Sequence, residues 1–220
     1  MAEDTSPAAF LRLLSWLSPA FPVGAFAYSH GLERAIHDGL IADRRSLVDW
    51  LSVLILHGST WNDAVLLAQA WRDIDADGDC SRVAELAEAM AGSRERHMET
   101  TLQGAAFAEA VAAWAGARGV PPFPYPVAVG AAAARHGIAL ESTLAAYLHA
   151  FASNLIQASV RLVPLGQRDG VAALAALEPV ILATAARAAG STLDDLGSCT
   201  VWSEVMSMRH EVQYSRVFRS

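Results

Sequence analysis

Four groupings in this chain have residue types and spacings that could do chemistry. His30, Glu33 and His37 stand at i, i+3 and i+7, which on one helix would offer two imidazoles and a carboxylate to a metal ion. Such a site needs ligands from elsewhere and further partners to orient them, so the trio reads as a docking face around Glu33, with no metal ligand assigned. Ala27-Tyr28-Ser29-His30-Gly31 is a variant of the G-x-S-x-G nucleophile elbow. That chemistry requires a strand before the serine and a helix after it, and here a proline-broken loop comes first. Asp73-Ile74-Asp75-Ala76-Asp77-Gly78 opens like a calcium loop, but the position of the bidentate glutamate holds Ala84. In the fourth grouping His149, Ser153 and Gln157 recur every four residues beside Asn154, within an otherwise apolar stretch. Buried uncharged polar groups must find hydrogen-bond partners or water. These four therefore read as an internal network, or as a polar passage or subunit seam.

The composition narrows the function classes. Of the 220 residues 53% are hydrophobic and 18% charged, against about 25% charged in ordinary domains. Some apolar surface is therefore expected to be covered by another chain, at least as a homodimer. A net charge of −7 argues against nucleic acid as a partner, because phosphate backbones need basic patches. All 16 basic residues are arginine, which excludes a Walker A loop, a Schiff-base enzyme and a lysine general base. Cys80 and Cys199 form no C-x-x-C pair, and no signal sequence is read at Met1, so a cytoplasmic protein is expected. Ser142–Val160 is uncharged and long enough to span a membrane, but too polar to face lipid.

The elements that must position these groups are helices. Residues 8–18 form a short apolar helix, ended by Pro19 and Pro22. A second helix is expected from about Ala25 to Gly39, with Phe26, Ser29, His30, Glu33 and His37 on one arc. Asp43 can cap a third, whose Leu47, Trp50, Leu51, Leu54 and Ile55 make an amphipathic stripe. Further helices are expected over about 60–72, 81–91, 93–117, 126–136, 141–162, 170–189 and 194–209. Small residues at Gly104-Ala105-Ala106 would permit close helix approach. No stretch alternates as a strand would. The reading is all-α: a single compact domain over 1–220 with about nine to eleven helices, a flexible N-terminus of about 1–7 and a basic, aromatic tail at 209–220.

Four motifs in order resemble the UreF family of urease accessory proteins. They are Pro22-Val23-Gly24 through Phe26, Tyr28-Ser29 and Gly31-Leu32-Glu33; Arg94-Glu95 through Gly104-Ala105-Ala106-Phe107; Arg161-Leu162-Val163-Pro164 with Gly166-Gln167; and Met208-Arg209-His210-Glu211 through Tyr214, Arg216 and Phe218-Arg219. The resemblance implies an all-helical homodimer with no catalytic activity of its own. It would bind the accessory protein UreD, also called UreH, and recruit the GTPase UreG to load nickel into apo-urease. It would also modulate that GTPase and carry part of a nickel tunnel, with nickel as transient cargo and no resident cofactor. Glu33 and Arg161 match the family's UreG-facing surface. Tyr28 and Arg216 match places that order the C-terminal segment on partner binding. Gly166, Gln167, Arg209 and His210 join them as expected partner-binding residues, and an independent nickel carrier or small hydrolase is the alternative.

Overall fold

The computed structural model describes residues 6–115 and 119–219. Ser6 opens the first helix, α1 (Pro7–Trp16), by accepting the Ala9 amide at 3.2 Å. Pro7 follows where a missing N–H costs nothing. The N-terminal segment expected to be free therefore gives way to helix at this cap; its residues 1–5 lie outside the described residues.

The second helix departs from expectation. Residues Ala25–Ala27 make one 3₁₀ turn, the chain extends at Tyr28, and α2 is only Leu32–His37. The break lies at His30 and Gly31, both left-handed at φ 52° and 73°, a conformation that ends a right-handed helix. Gly31 is required there on two counts, because a Cβ would also come within 2.7 Å of the Ser207 amide nitrogen. Phe26, Ser29, His30, Glu33 and His37 consequently share no helix face.

The next elements follow the sequence signals closely. Asp43 caps α3 (Arg44–His57), accepting the Ser46 amide at 2.8 Å, and Leu47, Leu51, Leu54 and Ile55 are buried. Gly58 separates α3 from α4 (Ser59–Asp75). Then come α5 (Ser81–Ala89), α6 (Arg94–Ala115), α7 (Tyr125–Arg135), α8 (Leu140–Leu162) and α9 (Gln167–Ala189). The final helix expected over 194–209 is displaced. A capping box between Thr192 and Asp195 closes a 3₁₀ turn at Leu193–Asp195, and α10 runs Val201–Glu211. Among the described residues there are ten α-helices and no strand.

The core is one continuous apolar cluster with α4 at its centre, packed on α3, α5, α7, α8 and α9. α7 reaches α4 closely because Gly130 faces the Leu67 carbonyl without a side chain between them. Gly104 does the same for α6, but its neighbour is the Phe123–Pro124 backbone of the proline segment, not another helix. Two stretches are long and apolar enough to cross a membrane by length and composition, 44–75 and 167–189. The first is divided at Gly58 into helices of 14 and 17 residues, each short of the roughly 20 a span needs. The second, α9, carries Pro179 within it and leaves Val171 and Leu182 exposed.

The glycine contacts yield a test. Gly104→Ala should drive a methyl group into the Phe123 carbonyl and destabilise the fold by about 3 kcal/mol, measured by urea unfolding. A change within about 0.5 kcal/mol, the range of a neutral surface substitution, would mean that the proline segment does not seat on α6.

Candidate partner-docking site

The helix break at His30-Gly31 turns Glu33 inward. The residue is 6% exposed, and a buried carboxylate needs partners on its oxygens. It accepts the Val217 amide at 2.8 Å and the Phe218 amide at 2.9 Å, and meets His210 Nε2 at 3.1 Å. His210, fully buried, places Nδ1 3.1 Å from Glu95 Oε2 on α6. Arg216 completes the chain of charges by donating to Glu95 Oε1 at 2.6 Å. Nearby, Asp38 joins Arg34 of α2 and Arg209 of α10, each at 2.7 Å.

The tail therefore does not stand free. After α10 ends at Glu211, residues 217 and 218 are held by Glu33, Phe218 is buried, and the Arg219 amide donates to the Ala27 carbonyl at 2.7 Å. A segment with few apolar residues docks because a prepared carboxylate takes its backbone amides, which composition alone cannot show. Tyr28 is also part of the seat, with its hydroxyl bonded by Arg219; Arg216 serves Glu95 instead. Burial raises the Tyr28 hydroxyl above its ordinary range, helped by Glu99 and opposed by Arg219.

A second buried cluster lies behind the first. His30 Nε2 is 2.9 Å from Glu99 Oε1, Gln103 donates to the same oxygen at 3.1 Å, and Arg96 bridges Glu99 and Asp63. The Tyr147 hydroxyl donates to Asp63 at 3.1 Å. Burial works against the Glu99 charge, yet His30 and Arg96 outweigh it and hold that carboxyl below the ordinary range. Burial and Asp63 push the Tyr147 hydroxyl well up. Two cavities, of about 240 and about 110 Å³, adjoin this cluster and share His30, Asp63, Arg96 and Glu99 as lining. The larger is rich in hydroxyls, from Ser59, Thr100, Ser198, Thr200, Ser203 and Ser207.

The expected site residues are thus distributed over three places. Tyr28, Glu33, His210 and Arg216 converge on the tail seat, with Arg209 at its edge. Arg161, Gly166 and Gln167 lie exposed at the turn from α8 to α9. Glu33 is buried under the tail while Arg161 is exposed, so the two do not make one exposed surface as the resemblance implies. His149, Ser153 and Asn154 line the smaller cavity, and Asn154 also donates to the Ala25 carbonyl at 2.7 Å. Gln157 lies outside that lining and is exposed. The trio His30, Glu33 and His37 is dispersed: the first two serve different clusters and His37 is exposed. Ser29 is buried with its hydroxyl accepting the Glu33 amide at 3.4 Å, unlike an exposed nucleophile. Asp73 and Asp75 are absorbed into the end of α4, and no metal-binding group of three or more ligands occurs among the described residues.

Sequence reasoning passed over Asp63, Arg96, Glu99, Tyr147 and Arg219 as functional groups. The available signal is Arg96 and Glu99 at i, i+3 within Arg94-Glu95-Arg96-His97-Met98-Glu99.

The fold and the site first define a class: an all-α protein whose chemistry-bearing side chains are largely committed to one another inside the fold. The UreF family model matches residues 41–178, and the chain belongs to that family. It is 57% identical over 223 residues to the urease accessory protein UreF of Mesorhizobium japonicum, covering 100% of both chains. It is also 57% identical over 215 residues to urease accessory protein UreF 1 of Brucella canis, covering 96% of this chain and 94% of that one. The UreF 1 of Brucella anthropi is 55% identical over 220 residues, with coverage of 99% and 96%.

The inner cluster predicts a pH-dependent stability. Glu99 is held ionised below the usual carboxylate range, so its contribution is complete above that range and lost as pH falls through the depressed value. Arg96→Met would leave Asp63 and Glu99 without their shared cation and should cost about 3–5 kcal/mol. It should also weaken the acid-side loss of stability. Urea unfolding as a function of pH measures both effects.

Proposed function

We propose that this chain is a non-enzymatic scaffold for urease maturation. It assembles with the accessory protein UreD/UreH, recruits and modulates the GTPase UreG, and supports nickel insertion into apo-urease. The observation that carries this reading is the outward side of the docked C-terminal region. Trp202 is 69% exposed and Tyr214 106% exposed, with Val201, Met208 and Val212 also open to solvent, while Glu33 holds the following backbone in place. Exposed apolar residues gathered on α10 and the residues that follow it fit a protein surface, and family membership supplies UreD/UreH as the partner that covers them.

The remaining roles follow the same support. The apolar residues Val171 and Leu182 on α9 suit contact between two copies in a homodimer. The turn bearing Arg161, Gly166 and Gln167 is accessible to UreG, where an arginine fork can meet a carboxylate or phosphate. Nickel is transient cargo, and the cavity lined by His149, Ser153 and Asn154 is a polar passage along its route. The protein works in the cytoplasm, with no cofactor of its own and no membrane or nucleic acid as partner.

Co-purification of the chain with UreD/UreH, followed by addition of UreG, tests this assembly. A ternary complex that activates apo-urease is expected; failure to retain UreD/UreH would overturn the reading. Equilibrium dialysis with nickel addresses the carrier alternative, which requires tight stoichiometric binding by the isolated chain. Arg161→Glu should shift stability by no more than about 0.5 kcal/mol while reducing UreG retention on the UreD/UreH complex. Normal retention would remove Arg161 from that surface.

A further inference from the structure

From the contact between Arg12 of α1 and His136 at the end of α7, we infer a pH-sensitive clasp that seats α1 on the core. Arg12 Nη1 lies 3.0 Å from His136 Nδ1. A guanidinium carries donors and no acceptor, so Nδ1 must supply a lone pair. The geometry therefore fixes both the charge and the tautomer of the docked ring: neutral, with its proton on Nε2. Adding a proton removes the acceptor and sets two cations directly against each other.

The surroundings offer a second cation no compensation. α1 carries no charge besides Arg12, and α7 none besides Arg135, whose guanidinium donates to the Gly119 carbonyl. On the neighbouring helices, Glu109 of α6 and Glu141 and His149 of α8 are exposed. Among the described residues no carboxylate pairs with Arg12 or His136. An imidazole at a helix C-terminus ordinarily gains from protonation through the helix dipole. Here burial, and then the Arg12 charge, lower the His136 value instead.

The ring also packs against the helix it holds. It meets Trp16 edge-on at 5.1 Å between ring centres, and Trp16 is 1% exposed, with Phe107 and Trp114 of α6 as its other aromatic neighbours. Leu13 and Trp16 face inward, while Phe10, Leu11 and Leu14 of the same helix are exposed. The clasp thus sets the position of an outward apolar surface as well as of a buried tryptophan. The sign follows from linkage. A lowered value in the folded state gives stability that is complete above the ordinary imidazole range and is lost as pH falls through the lowered value. α1 is therefore seated at neutral pH and loosened by acid. The pairing of Glu99 in the inner cluster fails only below the ordinary carboxylate range, so the two responses occupy separate pH intervals. The clasp does not depend on the scaffold role proposed above.

The test uses the full chain. At about pH 8, imidazole ¹⁵N shifts should show His136 with a bare Nδ1 and a protonated Nε2. Between about pH 7.5 and about pH 5, hydrogen exchange at the Leu13 and Leu17 amides should lose at least about threefold in protection, after correction for the intrinsic rate. The Leu148 amide of α8 should not share that loss. His136→Asn sets an amide oxygen near the place of Nδ1 and takes up no proton there, so it should keep α1 protected and remove the pH dependence. Arg12→Met should flatten the dependence too, and move the His136 titration up toward the ordinary imidazole range. A proton on Nδ1 while α1 is protected would overturn the proposal. Equal loss of protection in His136→Asn and the parent chain, or no loss in the parent, would do the same. If His136→Asn does not fold, the ring shifts of the parent chain and the titration of Arg12→Met decide.

Discussion

Taking a carboxylate out of water is tolerated only when its oxygens are met by donors, and Glu33 makes that constraint structural. Its partners come from α10 and the tail, at sequence separations of 177 to 185 residues. The carboxylate therefore dictates where the far end of the chain must lie. The break before α2 exists in the same geometry: left-handed His30 and Gly31 turn the helix start inward, and the bare Gly31 admits the α10 backbone. One buried acid connects an N-terminal turn, two helices and a tail.

The inner cluster repeats the same logic with different partners. Arg96 compensates Asp63 and Glu99 together, while His30 accepts an unfavourable backbone conformation and is held by Glu99 and by an edge contact with Phe151, 4.9 Å between ring centres. A non-glycine residue at positive φ persists when its surroundings over-determine it. Two cavities flank this cluster because the polar groups fill the space between α4, α6 and α8 incompletely. Their shared wall is made of the paired charged side chains His30, Asp63, Arg96 and Glu99, in contrast to the alanine-rich contact of α4 with α7.

How much of this was legible depended on whether the signal was local. Asp43 and the Leu47–Ile55 stripe specify α3 within a dozen residues, so the helix and its buried face could be read directly. The prolines likewise marked the segment before α7. The break at His30-Gly31 was not legible, since the backbone that packs against Gly31 comes from Ser207, far along the chain. Glu33 looked like a surface residue for a similar reason: nothing within α2 announces that residues 217 and 218 will donate to it. The motif order nevertheless grouped Tyr28, Glu33, His210 and Arg216, which the fold brings to one seat, although Arg161 proved separate. Gly104 was seen as a point of close approach, but its partner, the Phe123 carbonyl, lies outside any helix.

The long separation between Glu33 and its donors also has a meaning in time. A ribosome emits residues in order at about 5–20 per second, so the Glu33 and Glu95 positions emerge well before His210 is made. Throughout that interval the nascent chain holds two acids whose shared partner His210 has not been synthesised, and its Tyr28 lacks the Arg219 that later bonds it. Packing of the central helices can proceed, because α4 draws its neighbours from earlier sequence as well as from later helices. The seat closes only with the last residues. Any chain interrupted before position 210 retains the Glu33 and Glu95 carboxylates without the His210 ring, the Arg216 guanidinium and the tail amides that meet them in the finished fold.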